Sequence, residues 1–232
     1  MNKPFKYLIF SVFLGIIILM VPSCKELETF IPEEEATAAV KELLQVSSDS
    51  AYAQSSNNAR MSSDELTKIY FPQNDDLTNN IMNKIPGGDH EVIEITEALN
   101  SEACLLAADL KPLFDDAINN TSFDDVYYLI ESDECRASSL LKSRQEYAIK
   151  TLCKQIVQTR LIDSDLNHEY TAFQNAYNII AGAKVLHTEL NEFLTEKICE
   201  RYFYLLQVEE YNIRTQSSHQ RTDLLTKVFG HK

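Results

Sequence analysis

The sequence predicts an all-α fold, a single helical bundle or array of about six to eight helices following a cleaved lipoprotein-type signal peptide. Three observations carry this expectation. Apolar residues recur at three- and four-residue steps over long stretches, the period of a helix with one buried side. Glycine occurs only five times in 232 residues, too few turn-formers for an all-β chain. The N-terminus has Lys3 and Lys6, then an apolar run from Tyr7 to Val21, then Pro22-Ser23 before Cys24. A cationic head, a short apolar middle and a small residue at the cut are the parts of an export signal. The run is shorter than the roughly 20 apolar residues of a spanning helix.

The elements follow in order. Pro32, tolerated at a first helical position, opens a helix whose apolar edge is Val40, Leu43 and Leu44. Residues 47–63 are rich in Ser, Asn and Asp and read as a loop or poorly packed extension. Ile69-Tyr70-Phe71-Pro72 is a short extended piece, and a helix carrying Ile81, Met82 and Ile85 is expected from Asp75 until Pro86-Gly87-Gly88 breaks it. Residues 91–119 form a long helix with Val92, Ile95, Leu99, Ala103, Leu106, Leu110, Phe114 and Ile118 in one stripe. Pro112 falls inside it and predicts a kink or split near Leu110-Lys111, because the ring clashes with the preceding turn. Thr121 or Ser122 is the expected cap of a next helix, with Asp124 and Asp125 in its first turn. Residues 137–161 continue the period with Leu140, Leu141, Tyr147, Ile149, Leu152, Ile156 and Leu161. Further helices are expected over 170–183 and 189–214, the latter with Leu190, Phe193, Leu194, Ile198, Tyr202, Leu205 and Val208 on one side. Leu224, Leu225, Val228 and Phe229 close the chain.

The organisation read from this is a signal peptide over 1–23, an acidic tether over 24–34 and a helical domain over 35–232. Val21-Pro22-Ser23-Cys24 resembles a lipobox, so Cys24 is the expected lipidation site, carrying palmitate-type chains; an uncleaved membrane anchor with an incidental cysteine is the less favoured alternative. Two or more acyl chains make a stable anchor. Lys25 stands where aspartate would signal inner-membrane retention in enteric bacteria. The expected address is therefore the outer membrane of a Gram-negative cell envelope, on its periplasmic face or its surface. The acids Glu26, Glu28 and Glu33-Glu34-Glu35 resemble a surface-export signal and equally suit a solvated tether.

The chain has 21 basic and 35 acidic residues; cleavage after Ser23 removes Lys3 and Lys6, leaving 19 basic and a net charge of −16. With no basic stripe to neutralise phosphates, nucleic acid is excluded as a partner class. The charge also disfavours docking of the folded domain on anionic lipid. Cys104, Cys135, Cys153 and Cys199 remain after Cys24, spaced too widely for a zinc or redox motif. They fit either small buried hydrophobes or one disulfide.

Catalytic chemistry is not legible. His90-Glu91 lacks the second histidine of the zinc-protease pattern, whose place is Glu94. His90, His168, His187, His219 and His231 are scattered surface or turn positions. Asp115-Asp116 and Asp124-Asp125 fit helix-start and surface roles, and no metal or cofactor is implied. The one polar cluster is Glu209, Glu210, Arg214 and Arg221 near the C-terminus. Arginine pairs bidentately with carboxylates. The favoured reading is an internal clasp that docks the Leu224–Phe229 tail on the core; the other is a carboxylate–guanidinium site for a ligand. Tyr202-Phe203-Tyr204 reads as core rather than a ligand cage.

The tail, Glu209-Glu210-x-x-Ile213-Arg214 followed by Arg221-Thr222-x-Leu224-Leu225-x-Lys227-Val228-Phe229-Gly230, resembles the ending of an exported bacterial family, domain of unknown function 4197. Asn100, Ala108-x-x-x-Pro112-x-Phe114-x-x-Ala117-Ile118, Thr121 to Asp125, and Leu190, Phe193, Thr195 and Lys197 also resemble its pattern. Cys104 replaces the family's glutamate, Ser132-Asp133-Glu134 lacks its glycines, and Arg201 stands where a glycine is common, so the chain resembles a divergent member. The resemblance implies an exported helical domain and no activity. The functional expectation is a lipid-anchored, non-enzymatic module that binds a protein partner or supports an assembly. The alternative is a helical carrier of a small or lipidic ligand, lined by residues such as Phe114, Tyr202 and Phe203.

Overall fold

The computed structural model describes residues 31–72, 86–131, 134–181 and 188–230. Cys24 and the signal segment, the helix expected from Asp75, Ser132, Asp133, His187 and His231 lie outside the described residues. The described residues are all-α: α1 Glu33–Ser55, α2 Asn58–Ser63, α3 Gly88–Asn120, α4 Val126–Glu131, α5 Arg136–Leu161, α6 Asp165–Ala181, α7 Leu190–Thr215 and α8 Asp223–Phe229, with a 3₁₀ turn at Ser217–His219 before α8.

Four long helices form the frame. α1 packs on α3, α3 on α5, α5 on α7, and α7 back on α1, which closes a four-helix ring. Cross-helix contacts fix the directions. Lys41 Nζ reaches Asn119 O at 3.2 Å and Lys111 Nζ reaches Asp49 at 2.9 Å, so α1 and α3 are antiparallel. Arg160 meets Glu102 at 2.5 Å and Gln145 meets Thr121 at 3.2 Å, so α3 and α5 are antiparallel. Lys154 meets Glu192 at 2.6 Å at one end of α5–α7 while Ala137 N meets Glu210 at 3.1 Å at the other. This is up-down-up-down order, in which each long helix lies beside its successor. The core is the inner stripe of each: Leu43 and Leu44, Leu99, Leu106 and Phe114, Leu141 and Val157, Leu194, Tyr202 and Leu206.

Several expectations change. Residues 47–55 continue α1 rather than leaving it as a loop. Ser47, Ser48, Ser50 and Ser55 are buried, and Ser48 Oγ donates to Asp115 Oδ1 at 2.8 Å and lies 3.1 Å from Tyr202 Oη. Small side chains here let α1 approach its neighbours, so serine occupies core positions. Residues 58–63 form α2, capped by Asn57, whose side chain accepts from Arg60 N. α1 begins at Glu33, one residue after Pro32 and two residues inside the expected tether, with three acids in its first turn favoured by the helix dipole.

α3 runs through Pro112 without a break. Leu110 and Phe114 are both buried on either side of it, and Lys111 pairs with Asp49 and Asp115, so packing carries the helix past the missing hydrogen bond. Thr121 ends α3 instead of starting α4: its Oγ1 donates to Ala117 O at 2.7 Å. α4 starts only at Val126, after Asp125 takes a left-handed φ of 52°. α6 starts at Asp165, five residues before the expected Tyr170. Tyr147, placed in the α5 stripe by the sequence, is 87 % exposed, and Leu152 is also exposed. Cys104, Cys135, Cys153 and Cys199 are free thiols, and all but Cys135 are buried.

Candidate functional site

The tail cluster is built around the start of α5. Cys135 occupies the N-cap of α5 and its side chain makes no cap hydrogen bond. The first amides of a helix need acceptors. Glu210 on α7 supplies them: Oε1 accepts from Ala137 N at 3.1 Å, and Oε2 accepts from Ser138 N at 2.8 Å and from Ser138 Oγ. Glu210 and Arg214 are one turn apart on α7 and both fully buried. Arg214 donates from Nε (2.9 Å) and Nη2 (2.7 Å) to Glu210 Oε1, and from Nη2 to Leu129 O at 2.9 Å at the end of α4. Its guanidinium carbon sits 5.1 Å from the centre of the Phe229 ring on α8. One ion pair thus ties together α4, α5, α7 and α8.

Glu209 makes a second, outer tie. It is 2 % exposed, and its Oε1 accepts from Arg221 Nη2 at 3.0 Å and lies 3.0 Å from His219 Nδ1. These hold the 3₁₀ turn against α7. Gln220 Nε2 then donates to Ile213 O at 3.0 Å and Phe229 O at 3.2 Å, bridging α7 and α8. Thr222 caps α8 by accepting from Leu225 N at 3.2 Å. At Gly230 a Cβ would come within 2.3 Å of Thr226 O, so the chain closes on a residue without one. The structure therefore brings all four expected residues, Glu209, Glu210, Arg214 and Arg221, into one cluster. Their charges face one another, and only Arg221 is more than half exposed.

The residues expected to line a ligand cavity do not do so. Phe114 stacks on Tyr202 with ring centres 4.1 Å apart and meets Phe203 edge-on at 4.8 Å. All three rings are buried against each other.

A different site lies where residues 66–72 cross α7. Leu66, Lys68, Ile69, Tyr70, Phe71 and Pro72 face Phe193, Lys197, Glu200, Arg201 and Tyr204 across an open cavity of about 600 Å³. Asn100 on α3 anchors the crossing segment as a strand neighbour would: Oδ1 accepts from Ile69 N at 2.9 Å, and Nδ2 donates to Ile69 O at 2.7 Å and to Thr96 O at 2.8 Å. Arg201 completes the anchor, donating from Nε to Thr67 O at 2.8 Å and from Nη2 to Asn100 Oδ1 at 2.7 Å. Arg201 is 5 % exposed, and its Nη1 has no hydrogen-bond partner. Burial pushes its pKa below the usual arginine value, and the titratable neighbour acting on it is the Cys104 thiol, whose own pKa burial pushes up. Among the described residues no carboxylate pairs with Arg201, and Glu200 pairs instead with Lys197 at 2.8 Å.

In the sequence, Arg201 stands out only as a departure from a family pattern. A signal was present: Arg201 falls three residues after Ile198 and four before Leu205, on the stripe that α7 buries. A charge at a core position of a helix is rarely buried without a partner.

His90 is exposed and pairs with Glu94 at 3.3 Å. Among the described residues no group of three His, Cys, Asp or Glu is placed to hold a metal ion, and no helix is long and apolar enough to cross a membrane.

No curated protein and no solved structure matches the chain. Residues 31–230 match the family described as "Protein of unknown function (DUF4197)". That match spans every described helix, the buried Glu210–Arg214 pair and the docked tail, and the chain belongs to the DUF4197 family.

Proposed function

We propose that the protein is a lipid-anchored module of the Gram-negative outer membrane, held by acyl chains on Cys24, and that its helical domain binds a protein partner without catalysing a reaction. The observation that carries the binding reading is an open apolar strip between α3 and α5. The antiparallel register set by Glu102–Arg160 and Thr121–Gln145 puts Leu105, Ala108 and Pro112 beside Leu152 and Ile156. Leu105 is 54 % exposed and Leu152 is 48 % exposed, and Ala108 and Pro112 are also exposed. Asp109, Gln155, Ile156, Thr159 and Arg160 line a depression there of about 470 Å³. Apolar surface with a polar rim suits the apolar face of a partner helix.

The address rests on the order of residues 1–24 and on charge. A domain at −16 has little attraction for anionic lipid, so acylation is the tether this reading requires. The carrier reading placed on Phe114, Tyr202 and Phe203 loses its support, since those rings fill the core. Metabolic labelling with palmitate, followed by membrane fractionation, tests the anchor. Cys24→Ala is expected to take up no label and to leave the membrane fraction; a labelled, membrane-bound variant contradicts the reading.

A further inference from the structure

We infer that the cavity between residues 66–72 and α7 binds a small monocarboxylate with an apolar body, its carboxylate seated at Arg201. A buried cation without a counter-charge is costly, and removing the partner of a buried pair leaves the same penalty. Arg201 is in that condition in the described structure: 5 % exposed, facing no carboxylate, with Nη1 unpartnered. Its other two nitrogens, Nε and Nη2, already donate to Thr67 O and Asn100 Oδ1, so the guanidinium is held in place before any ligand arrives. It also lines the cavity of about 600 Å³, within the range of small-molecule sites. A carboxylate in the cavity supplies the missing counter-charge beside the guanidinium.

The rest of the lining defines the remainder of the ligand. Leu66, Ile69, Tyr70, Phe71, Phe193 and Tyr204 present an apolar and largely aromatic wall, suited to an aromatic ring or a short acyl chain. Lys68 and Lys197 add positive charge at the rim, and Lys68 Nζ sits 5.2 Å above the Tyr70 ring. Glu200 is also on the rim, paired with Lys197. The rim carboxylate Glu200 favours a monoanion, since a phosphate dianion would bring a second negative charge towards it. The site is separate from the α3–α5 strip and does not depend on it.

Calorimetric titration of the full chain, purified in a non-ionic detergent, tests this with three probes of one shape: 1-naphthoate, 1-naphthyl phosphate and 1-naphthalenemethanol. The carboxylate is expected to bind about tenfold or more tightly than the neutral alcohol, the difference a charge-assisted contact makes. Arg201→Gln removes that preference. Lys197→Glu, at a half-exposed rim position, weakens the carboxylate about fivefold and leaves the alcohol unchanged; it decides the matter if Arg201→Gln fails to fold. Equal affinity for naphthoate and the alcohol, no binding of either, or tighter binding of the phosphate overturns the assignment. So does an anion preference that survives Lys197→Glu and Arg201→Gln unchanged.

Discussion

Glu210 has both oxygens committed: Oε1 takes the Ala137 amide and two donors of Arg214, and Oε2 takes the Ser138 amide and hydroxyl. The carboxylate therefore acts as the N-cap that Cys135 cannot be, while neutralising a guanidinium that has no solvent. Breaking a buried pair from one side leaves an uncompensated charge and costs about 3–5 kcal/mol. Glu210→Ala is expected to lose that much in denaturant unfolding. Arg214→Met, which leaves Glu210 with its α5 donors, is expected to lose less. A loss below about 1 kcal/mol for Glu210→Ala would show that the pair is not what ties α5 to α7. The i,i+4 spacing of Glu210 and Arg214 was legible in the sequence. The acceptor's main use was not, because Glu210 caps helix amides 72 and 73 residues earlier in the chain, and no local pattern records that distance.

At the scale of elements, the long helices α3, α5 and α7 were legible because their apolar period is sustained over many turns. The second half of α1 was not. Its inward residues include Ser47, Ser48 and Ser55, and serine by composition reads as loop. Pro112 shows the converse: local sterics predict a break, and packing of α3 on α1 and α5 overrides it. Pro112→Ala restores an amide donor within α3 and is expected to raise the unfolding free energy by about 1–3 kcal/mol. A drop in stability would mean that the proline geometry is itself required by the packing. α8 hangs on Phe229, buried under Arg214. Phe229→Ala is expected to cost about 3–5 kcal/mol and to speed amide exchange across Asp223–Phe229 first. Uniform acceleration over the whole bundle would instead make α8 part of a single cooperative unit.

For the molecule as a whole, the open features that the up-down-up-down ring of four helices leaves among the described residues include the apolar strip on α3–α5 and the cavity roofed by residues 66–72 on α7. The all-α class was legible from periodicity and scarce glycine. Both open features escaped sequence reading, since each depends on which faces the ring leaves outward. Leu152 illustrates this: it continues the period of α5, yet the register of α3 leaves it open to solvent. The module proposed above is expected to meet its partner at the α3–α5 strip. The most direct measurement is site-specific photocrosslinking in native membranes, with the photoreactive residue at position 152 and, as control, at position 147, whose tyrosine is 87 % exposed and lines the α5–α7 groove. The account predicts one discrete protein adduct from position 152, lost in Leu105→Asp and absent from position 147. Equal crosslinking from both positions, or none from position 152, would contradict it.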